Sequence, residues 1–143
     1  MVKFSLRRLG WTGLLVTLAA TLANCVYYGL TRAAGEPYLM PLNGTGSRIG
    51  TMPLLMPVVA TLLSGLAATL LFILLARFTR QPQVIFLSVA VTATLVSFGG
   101  PASLPESTST QTRILLSGMH LLTALVISIG LVRWGPLRRD RNG

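Results

Sequence analysis

The chain alternates long apolar blocks with short polar segments. Four blocks, at residues 9–30, 52–76, 83–98 and 112–134, are apolar over nearly their whole length instead of along one amphipathic stripe. At about 1.5 Å per residue, a helix of about 20 such residues crosses the roughly 30 Å hydrocarbon core of a bilayer. The pattern predicts an all-α membrane protein, a four-transmembrane-helix antiparallel bundle that forms one integral membrane domain over residues 1–143.

The connections between the blocks differ in length and composition. Residues 31–51 form the longest connection, rich in Gly and Pro, and predict a long outer loop. Residues 77–82 are few and basic, so the second and third helices are expected to be antiparallel neighbours. Pro57 lies inside the second block, where proline would kink a helix, and Gly99-Gly100-Pro101 predicts the end of the third helix.

The first block follows a basic leader and therefore also resembles a secretory signal peptide. Asn24 stands where a small residue is needed before a lipoprotein-type cysteine, Cys25, and the apolar run continues through Tyr28. Both features favour a retained transmembrane helix over a cleaved signal.

The positive charges are distributed unevenly over the two ends of the predicted helices. With both termini on the cytoplasmic side, that side carries nine of the twelve Lys and Arg residues. The other three are Arg32, Arg48 and Arg113. Since cytoplasmic loops are enriched in Lys and Arg, the bias predicts a multi-pass protein of the bacterial inner (plasma) membrane with cytoplasmic N and C termini.

Composition limits the chemistry that the chain carries. It is 52% hydrophobic and only 10% charged, whereas soluble domains contain about 25% charged residues. The net charge of +9 is concentrated at helix ends, which favours membrane lipids and not nucleic acid as partners. One cysteine, one histidine and three acids provide little material for acid–base or metal catalysis, so we expect no enzyme activity and no metal site.

The polar residues within the apolar blocks define a candidate ligand site. His120 shares one helical face with Ser117, Ala124 and Ser128, since these positions are three or four residues apart. An ionisable residue at membrane depth normally faces protein. Estimated depths place polar or soft side chains of all four helices in the outer half of the bundle, where we expect the Asn24 and His120 faces to meet. The candidate ligand-binding residues are Asn24, Tyr28, Met56, Ser97, Ser117 and His120.

Three interpretations of this polar set remain open. Asn24 and His120 are hydrogen-bonding partners between helices, each bond contributing about 1 kcal/mol or less. Alternatively, His120 is the axial ligand of a haem or chlorophyll-type pigment, of which a five-coordinate one needs a single histidine. A third interpretation is a pocket for a quinone, a lipid or another small amphiphile, or a path for a small solute.

Three local motifs, taken together and in order, resemble one protein family. They are Ala20-x-x-Ala23-Asn24-x-x-x-Tyr28, Ser97-Phe98-Gly99-Gly100-Pro101 and Gly118-Met119-His120-Leu121-Leu122-Thr123-Ala124. They are similar to motifs of a family of small bacterial four-helix membrane proteins, the domain of unknown function 6069. The resemblance implies the four-helix fold and draws attention to Asn24, Ser97 and His120, but it implies no activity.

The sequence alone favours a structural or accessory subunit, of a homo-oligomer or of a larger membrane complex. The alternative is a binder or carrier of a small hydrophobic ligand, pigment or haem around His120 and Asn24. If His120 only links helices, His120→Ala is expected to lower stability or assembly. A visible absorbance that is lost in this variant would instead indicate a cofactor.

Overall fold

The computed structural model describes residues 6–42 and 48–135, and within them it is a helical bundle with one short hairpin. The elements are α1 (Leu6–Ala33), β1 (Leu39–Pro41), β2 (Ile49–Thr51), α2 (Leu55–Phe78), α3 (Pro82–Ser97), α4 (Gly99–Ala102) and α5 (Thr110–Trp134). Four helical spans in the described chain are long and apolar enough to cross a membrane, the third being α3 together with α4. The predicted four-helix membrane fold is confirmed. Lys3 and the tail arginines used in the charge count lie outside the described residues.

Helix α1 is longer than its apolar block and ends in a glycine cap. Gly35 adopts a φ of +98°, a left-handed conformation that glycine adopts without steric cost. Its N–H donates to the Arg32 carbonyl at 3.0 Å, and the Glu36 N–H donates to the Thr31 carbonyl at 3.0 Å. This pair of bonds is a Schellman motif, which satisfies the last carbonyls of the helix. The predicted boundary near residue 30 was therefore too early.

Helix α2 begins later than predicted, and this changes the role of Pro57. Met52 is outside the helix because its N–H donates to the Tyr38 carbonyl at 3.0 Å, next to the hairpin. With the first helical residue at Leu55, Pro57 is the third residue of the helix. Proline is tolerated in a first turn, because the N–H groups there have no partner within the helix. Pro57 thus lies at the start of α2 instead of interrupting it.

The Gly99-Gly100-Pro101 segment continues in helical conformation instead of leaving it at once. Phe98 keeps right-handed helical angles, with φ −66° and ψ −19°, and α4 adds one turn after α3. Pro101 is the third residue of that turn and is buried. Proline in a first turn needs no amide partner, so the two glycines and the proline form a further helical turn after α3.

Helix α1 packs closely on α2 through two reciprocal contacts. Gly13 of α1 faces Thr69 of α2, and Gly65 of α2 faces Thr17 of α1. A Cβ atom at either glycine would overlap the opposing threonine side chain. Small residues four apart on both helices let the backbones approach, as is usual in membrane bundles.

Helix α1 also packs on α5, where Gly130 receives the side chain of Val16. The bundle core therefore forms around α1. Its buried residues are Leu9, Val16, Ala20, Phe72, Phe86, Ile127 and Leu131. Helix α3 contacts α2 and α5 and is buried only at Pro82 and Phe86, near its first turn. It is the peripheral helix.

The predicted outer loop contains a structured cap. Strands β1 and β2 pair antiparallel, with Met40 opposite Gly50, at the end of the bundle where α1 ends and α2 begins; we call this the hairpin end. Tyr38 is fully buried there, stacks on Tyr28 with ring centroids 5.1 Å apart, and its hydroxyl lies 2.7 Å from Thr31 Oγ1. Burial raises the pKa of Tyr38, so this hydroxyl stays protonated at neutral pH.

A buried carboxyl group joins the cap to α5. Glu36 is 4% exposed, and its Oε1 accepts hydrogen bonds from the Tyr38 N–H at 3.1 Å and from Thr112 Oγ1 at 2.6 Å. Thr112 lies in the first turn of α5, where its own N–H donates to Ser109 Oγ at 3.0 Å. Glu36 therefore holds the chain after α1 against the start of α5, an arrangement that the sequence analysis did not predict.

We expect Glu36→Ala to lower the free energy of unfolding by about 2 kcal/mol, because a buried threonine hydroxyl and a backbone N–H lose their shared acceptor. Thermal unfolding of the detergent-solubilised protein measures this loss. Glu106→Ala is the matched control, since Glu106 is an exposed carboxyl on the same side of the bundle. Equal melting temperatures of the two variants would contradict the assignment of Glu36 as the link.

Candidate functional site

A cleft with a volume of about 830 Å³ lies between α2, α3 and α5. Most of the side chains facing it from the middle of these helices are small. They are Ala60, Ser64, Ala67 and Ala68 of α2, Ala90, Ala93, Thr94 and Ser97 of α3, and Ala124 and Ser128 of α5. Among the small residues at 64–68 of α2, Gly65 packs against α1, while Ser64, Ala67 and Ala68 line the cleft.

Aromatic packing closes the cleft at the end opposite the hairpin. Phe86 of α3 lines it there and meets the ring of Phe72 edge to face, with centroids 5.0 Å apart. Gln83 Nε2, one turn earlier, donates to the Val132 carbonyl of α5 at 3.1 Å. These contacts attach the start of α3 firmly to α2 and α5.

The segment around α4 closes the cleft at the hairpin end. Pro101 and Leu104 line it, and the Arg113 guanidinium holds this segment through carbonyl oxygens. Its Nη1 donates to Ala102 at 3.2 Å and its Nη2 to Pro105 at 2.9 Å. Helix α3 is thus attached at both ends, and its middle stands away from α2 and α5.

The cleft is open towards the side of the bundle. Ala67, Ala93 and His120 line it from three helices, and all three are exposed. They lie in the middle turns of membrane-spanning helices, where the surrounding solvent is lipid hydrocarbon and not water. A molecule from the membrane therefore reaches the cleft without crossing water.

Methionine side chains line the part of the cleft nearest the hairpin. Met40, Met52, Met56 and Met119 all face it, and they are all the methionines of the chain except Met1. The thioether side chain is flexible and polarisable, so it adapts to apolar surfaces of different shape. This part of the cleft can therefore adapt to hydrophobic groups of different shapes.

Asn24 forms the polar link at the centre of the bundle. It is 3% exposed, and its Nδ2 donates to Thr61 Oγ1 of α2 at 2.8 Å and to Thr123 Oγ1 of α5 at 2.6 Å. Thr61 donates its own proton to the Pro57 carbonyl at 2.7 Å, so its oxygen is the acceptor and the orientation of the amide is determined. Asn24 thereby connects three helices, while its Oδ1 is buried and accepts no bond from the described residues.

Three further hydroxyl groups on the cleft, those of Ser64, Thr94 and Ser97, are occupied by their own helices. Ser64 donates to the Ala60 carbonyl at 2.7 Å, Thr94 to Ala90 at 2.7 Å and Ser97 to Thr94 at 2.7 Å. Such bonds to the preceding turn satisfy a hydroxyl in an apolar environment. The walls formed by these residues are therefore apolar in effect although they contain Ser and Thr.

His120 differs from these residues because its imidazole has no hydrogen-bond partner among the residues that the structure describes. It lies ten residues after the first residue of α5, about 15 Å along the helix axis. Asn24, nine residues before the end of α1, lies at a similar depth of about 13 Å. His120 presents an unsatisfied donor and acceptor to the cleft near the middle of the membrane.

The structure brings together four of the six residues predicted for a ligand site. Asn24, Met56, Ser97 and His120 line the same cleft, and Asn24 bonds to Thr123 instead of His120. The other two do not line it. Tyr28 donates to the Met52 carbonyl at 2.6 Å and belongs to the cap, and Ser117 donates to the Arg113 carbonyl at 2.9 Å.

Sequence reasoning missed the part that Thr61, Thr123 and the methionines other than Met56 play at this site. The spacing of four between Gly13 and Thr17, and between Gly65 and Thr69, was the available signal for the α1–α2 contact.

No group of three or more His, Cys, Asp or Glu side chains that would hold a metal ion occurs among the described residues. Among imidazole, thiolate and carboxylate ligands, the haem or pigment interpretation therefore depends on His120.

Comparison with known families gives one match. The model of a family of unknown function, DUF6069, matches residues 4–136. The chain belongs to this family. The family expected from the sequence is thereby confirmed, and all the described cleft residues of this DUF6069 member lie inside the matched segment. No curated protein and no solved structure matches it.

The contacts of this DUF6069 protein assign different roles to its two central polar residues. We expect Asn24→Asp to lower the free energy of unfolding by about 3 kcal/mol, because an oxygen replaces the amide donor to two threonine oxygens in a buried position. His120→Leu is the control on the same cleft and should change it by less than about 0.5 kcal/mol. Denaturant or thermal unfolding in detergent measures both values. From the sequence, substitution of His120 was expected to lower stability; the contacts now predict that it does not. An equal decrease in the free energy of unfolding of Asn24→Asp and His120→Leu would support the earlier expectation.

Proposed function

We propose that this membrane protein binds one predominantly apolar, lipid-like molecule in the cleft between α2, α3 and α5. The observation that carries the proposal is the cleft itself, with small side chains along its walls and an opening at membrane depth. Close packing is the rule inside proteins, so a cavity of this size beside lipid is filled by lipid or by a ligand. A binder or carrier of a small hydrophobic molecule was the alternative function expected from the sequence.

The dimensions of the cleft support a chain-like ligand. Its volume of about 830 Å³ is within the range of roughly 300–1,000 Å³ that is usual for small-molecule sites. Along α5 the lining extends from Leu116 to Ser128, which is about 18 Å of helix. An alkyl or isoprenoid chain fits parallel to the helices in such a space, with one end of the chain against Phe86 at the closed end of the cleft.

We infer from the charge bias that the protein resides in a bacterial inner membrane with both termini in the cytoplasm. The hairpin end, with Arg32, Arg48 and Arg113, is then the outer end. This orientation supports a ligand that enters from the membrane with its polar end towards the outer half of the bilayer.

A structural or accessory role in a homo-oligomer or a larger complex stays a prediction, as do the absence of enzyme activity and a pigment or haem at His120. Ligand binding and a subunit role are compatible, because the cleft uses only one side of the bundle. The lipid-facing surfaces of α1 and of the outer side of α3 would remain for a partner helix.

We expect Ala93→Phe to weaken binding of a lipid-like ligand at least tenfold, because the phenyl ring occupies the space beside α3. Ala19→Phe is the matched control: Ala19 is an exposed alanine on α1 and does not line the cleft. Native mass spectrometry of the protein released from detergent counts bound molecules of membrane lipid in both variants.

Equal retention of lipid by the two variants, or a wild-type protein without any bound molecule, would contradict the proposal. The same sample shows the mass of the assembled particle, which tests the subunit prediction. An absorption band in the visible range that disappears in His120→Leu would assign the cleft to a haem or chlorophyll-type pigment instead of a lipid.

A further inference from the structure

We infer that the ligand of the cleft carries an uncharged oxygen function, a carbonyl or a hydroxyl, and that this group binds to the imidazole of His120. The inference rests on the proposed function and adds to it the chemical class of the ligand. It also states where the polar end of the molecule lies, which is near the middle of the membrane and not at its surface.

Depth excludes a charged group at this position. His120 is about 15 Å from the start of α5, well inside a hydrocarbon core that is roughly 30 Å thick. A charged head group placed there needs a counter-charge or a water-filled path. The head group of a phospholipid would remain at the surface, and only its acyl chains would pass His120, leaving the imidazole without a partner.

The lining of the cleft supplies no counter-charge. None of the described side chains that line it is an Asp, Glu, Lys or Arg. The nearest cation on the same helical face is Arg113, seven residues before His120. Its guanidinium already donates to the carbonyl oxygens of Ala102 and Pro105, so it serves to hold the α4 segment. An ionised ligand would therefore be unpaired at the level of His120.

His120 is an exposed polar side chain of the cleft with no hydrogen-bond partner among the described residues, whereas the unpaired Oδ1 of Asn24 is buried and can only accept a bond. A neutral imidazole offers one N–H donor and one nitrogen acceptor, so it binds either a carbonyl oxygen or a hydroxyl group. Thr61, Ser64, Thr94 and Ser97 have already used their protons on backbone carbonyls. A polar group left unpaired in an apolar environment is costly, so an oxygen function that pairs with His120 gains affinity over an otherwise identical apolar molecule.

Ser128 is the competing position for the polar end. It lines the cleft eight residues after His120, about 12 Å deeper along α5. A ligand bound with its oxygen at Ser128 would have the opposite orientation, with its chain towards the methionines. The two positions are distinguishable by substitution, because no single short ligand group reaches both.

The test uses probes that share a decyl chain and differ only in the polar end: decane, decanol, a decyl-substituted benzoquinone, decanoate and decyltrimethylammonium. Displacement of a bound fluorescent lipid from wild-type protein in nanodiscs measures relative affinities. We expect the alcohol or the quinone to bind about tenfold more tightly than decane, and the two ions to bind more weakly than decane. The alcohol and quinone arms distinguish a hydroxyl ligand from a carbonyl ligand.

Three variants connect the preference to the imidazole. His120→Leu should remove the tenfold advantage of the oxygen-bearing probe over decane, whereas His120→Gln, which keeps a donor and an acceptor, should retain most of it. Ser128→Ala should leave the advantage intact. Equal binding of decane and all oxygen-bearing probes, or loss of the advantage in Ser128→Ala only, would overturn the inference while the proposed lipid binding stands. Failure of every probe and of natural lipids to bind would contradict both.

Discussion

Close packing of α1 against both α2 and α5 determines where the remaining helix can go. Gly13, Gly65 and Gly130 let the helix backbones approach, because each receives a Thr or Val side chain where a Cβ atom would not fit. Two helices then occupy the two sides of α1, and α3 has only their outer surfaces left to contact. It is attached through Phe86 at one end and through the α4 segment at the other. The cleft is the space that remains between, and its existence follows from the central position of α1.

The need for hydrogen-bond partners determines the roles of the polar groups within the membrane. In lipid every donor needs a partner inside the protein, and the hydroxyls of this bundle mostly find it one turn earlier on their own helix. Such bonds tie no helices together. The linking role falls to Asn24, whose amide group has enough donors to reach Thr61 and Thr123 at once. His120 performs neither task, and an ionisable side chain at that depth with no partner in the described part of the chain is unusual unless it serves binding.

Hydrophobicity and charge were sufficient to predict the four spans, because block length and composition report directly on the solvent around each helix. They were insufficient for the helix ends, which depend on local geometry such as the left-handed glycine at Gly35.

The cap was missed for a different reason. Glu36 and Tyr38 look like loop residues, and their burial depends on meeting Thr112, which is 76 residues away from Glu36 along the chain. Depth estimates brought Asn24, Met56, Ser97 and His120 to one site, but depth carries no information on rotation about the helix axis. Tyr28 and Ser117 therefore appeared equivalent to them and are not.

The peripheral attachment of α3 separates the determinants of folding from the determinants of the cleft. Val16, Thr17 and Thr69 maintain the bundle, whereas Ala93 and Thr94 of α3 face the open space and are not part of the core cluster. Substitutions on the cleft side of α3 can consequently alter the shape of the space while the α1-centred core is preserved. A scaffold of this kind permits related proteins to diverge in what they accommodate without each having to evolve a new way to fold.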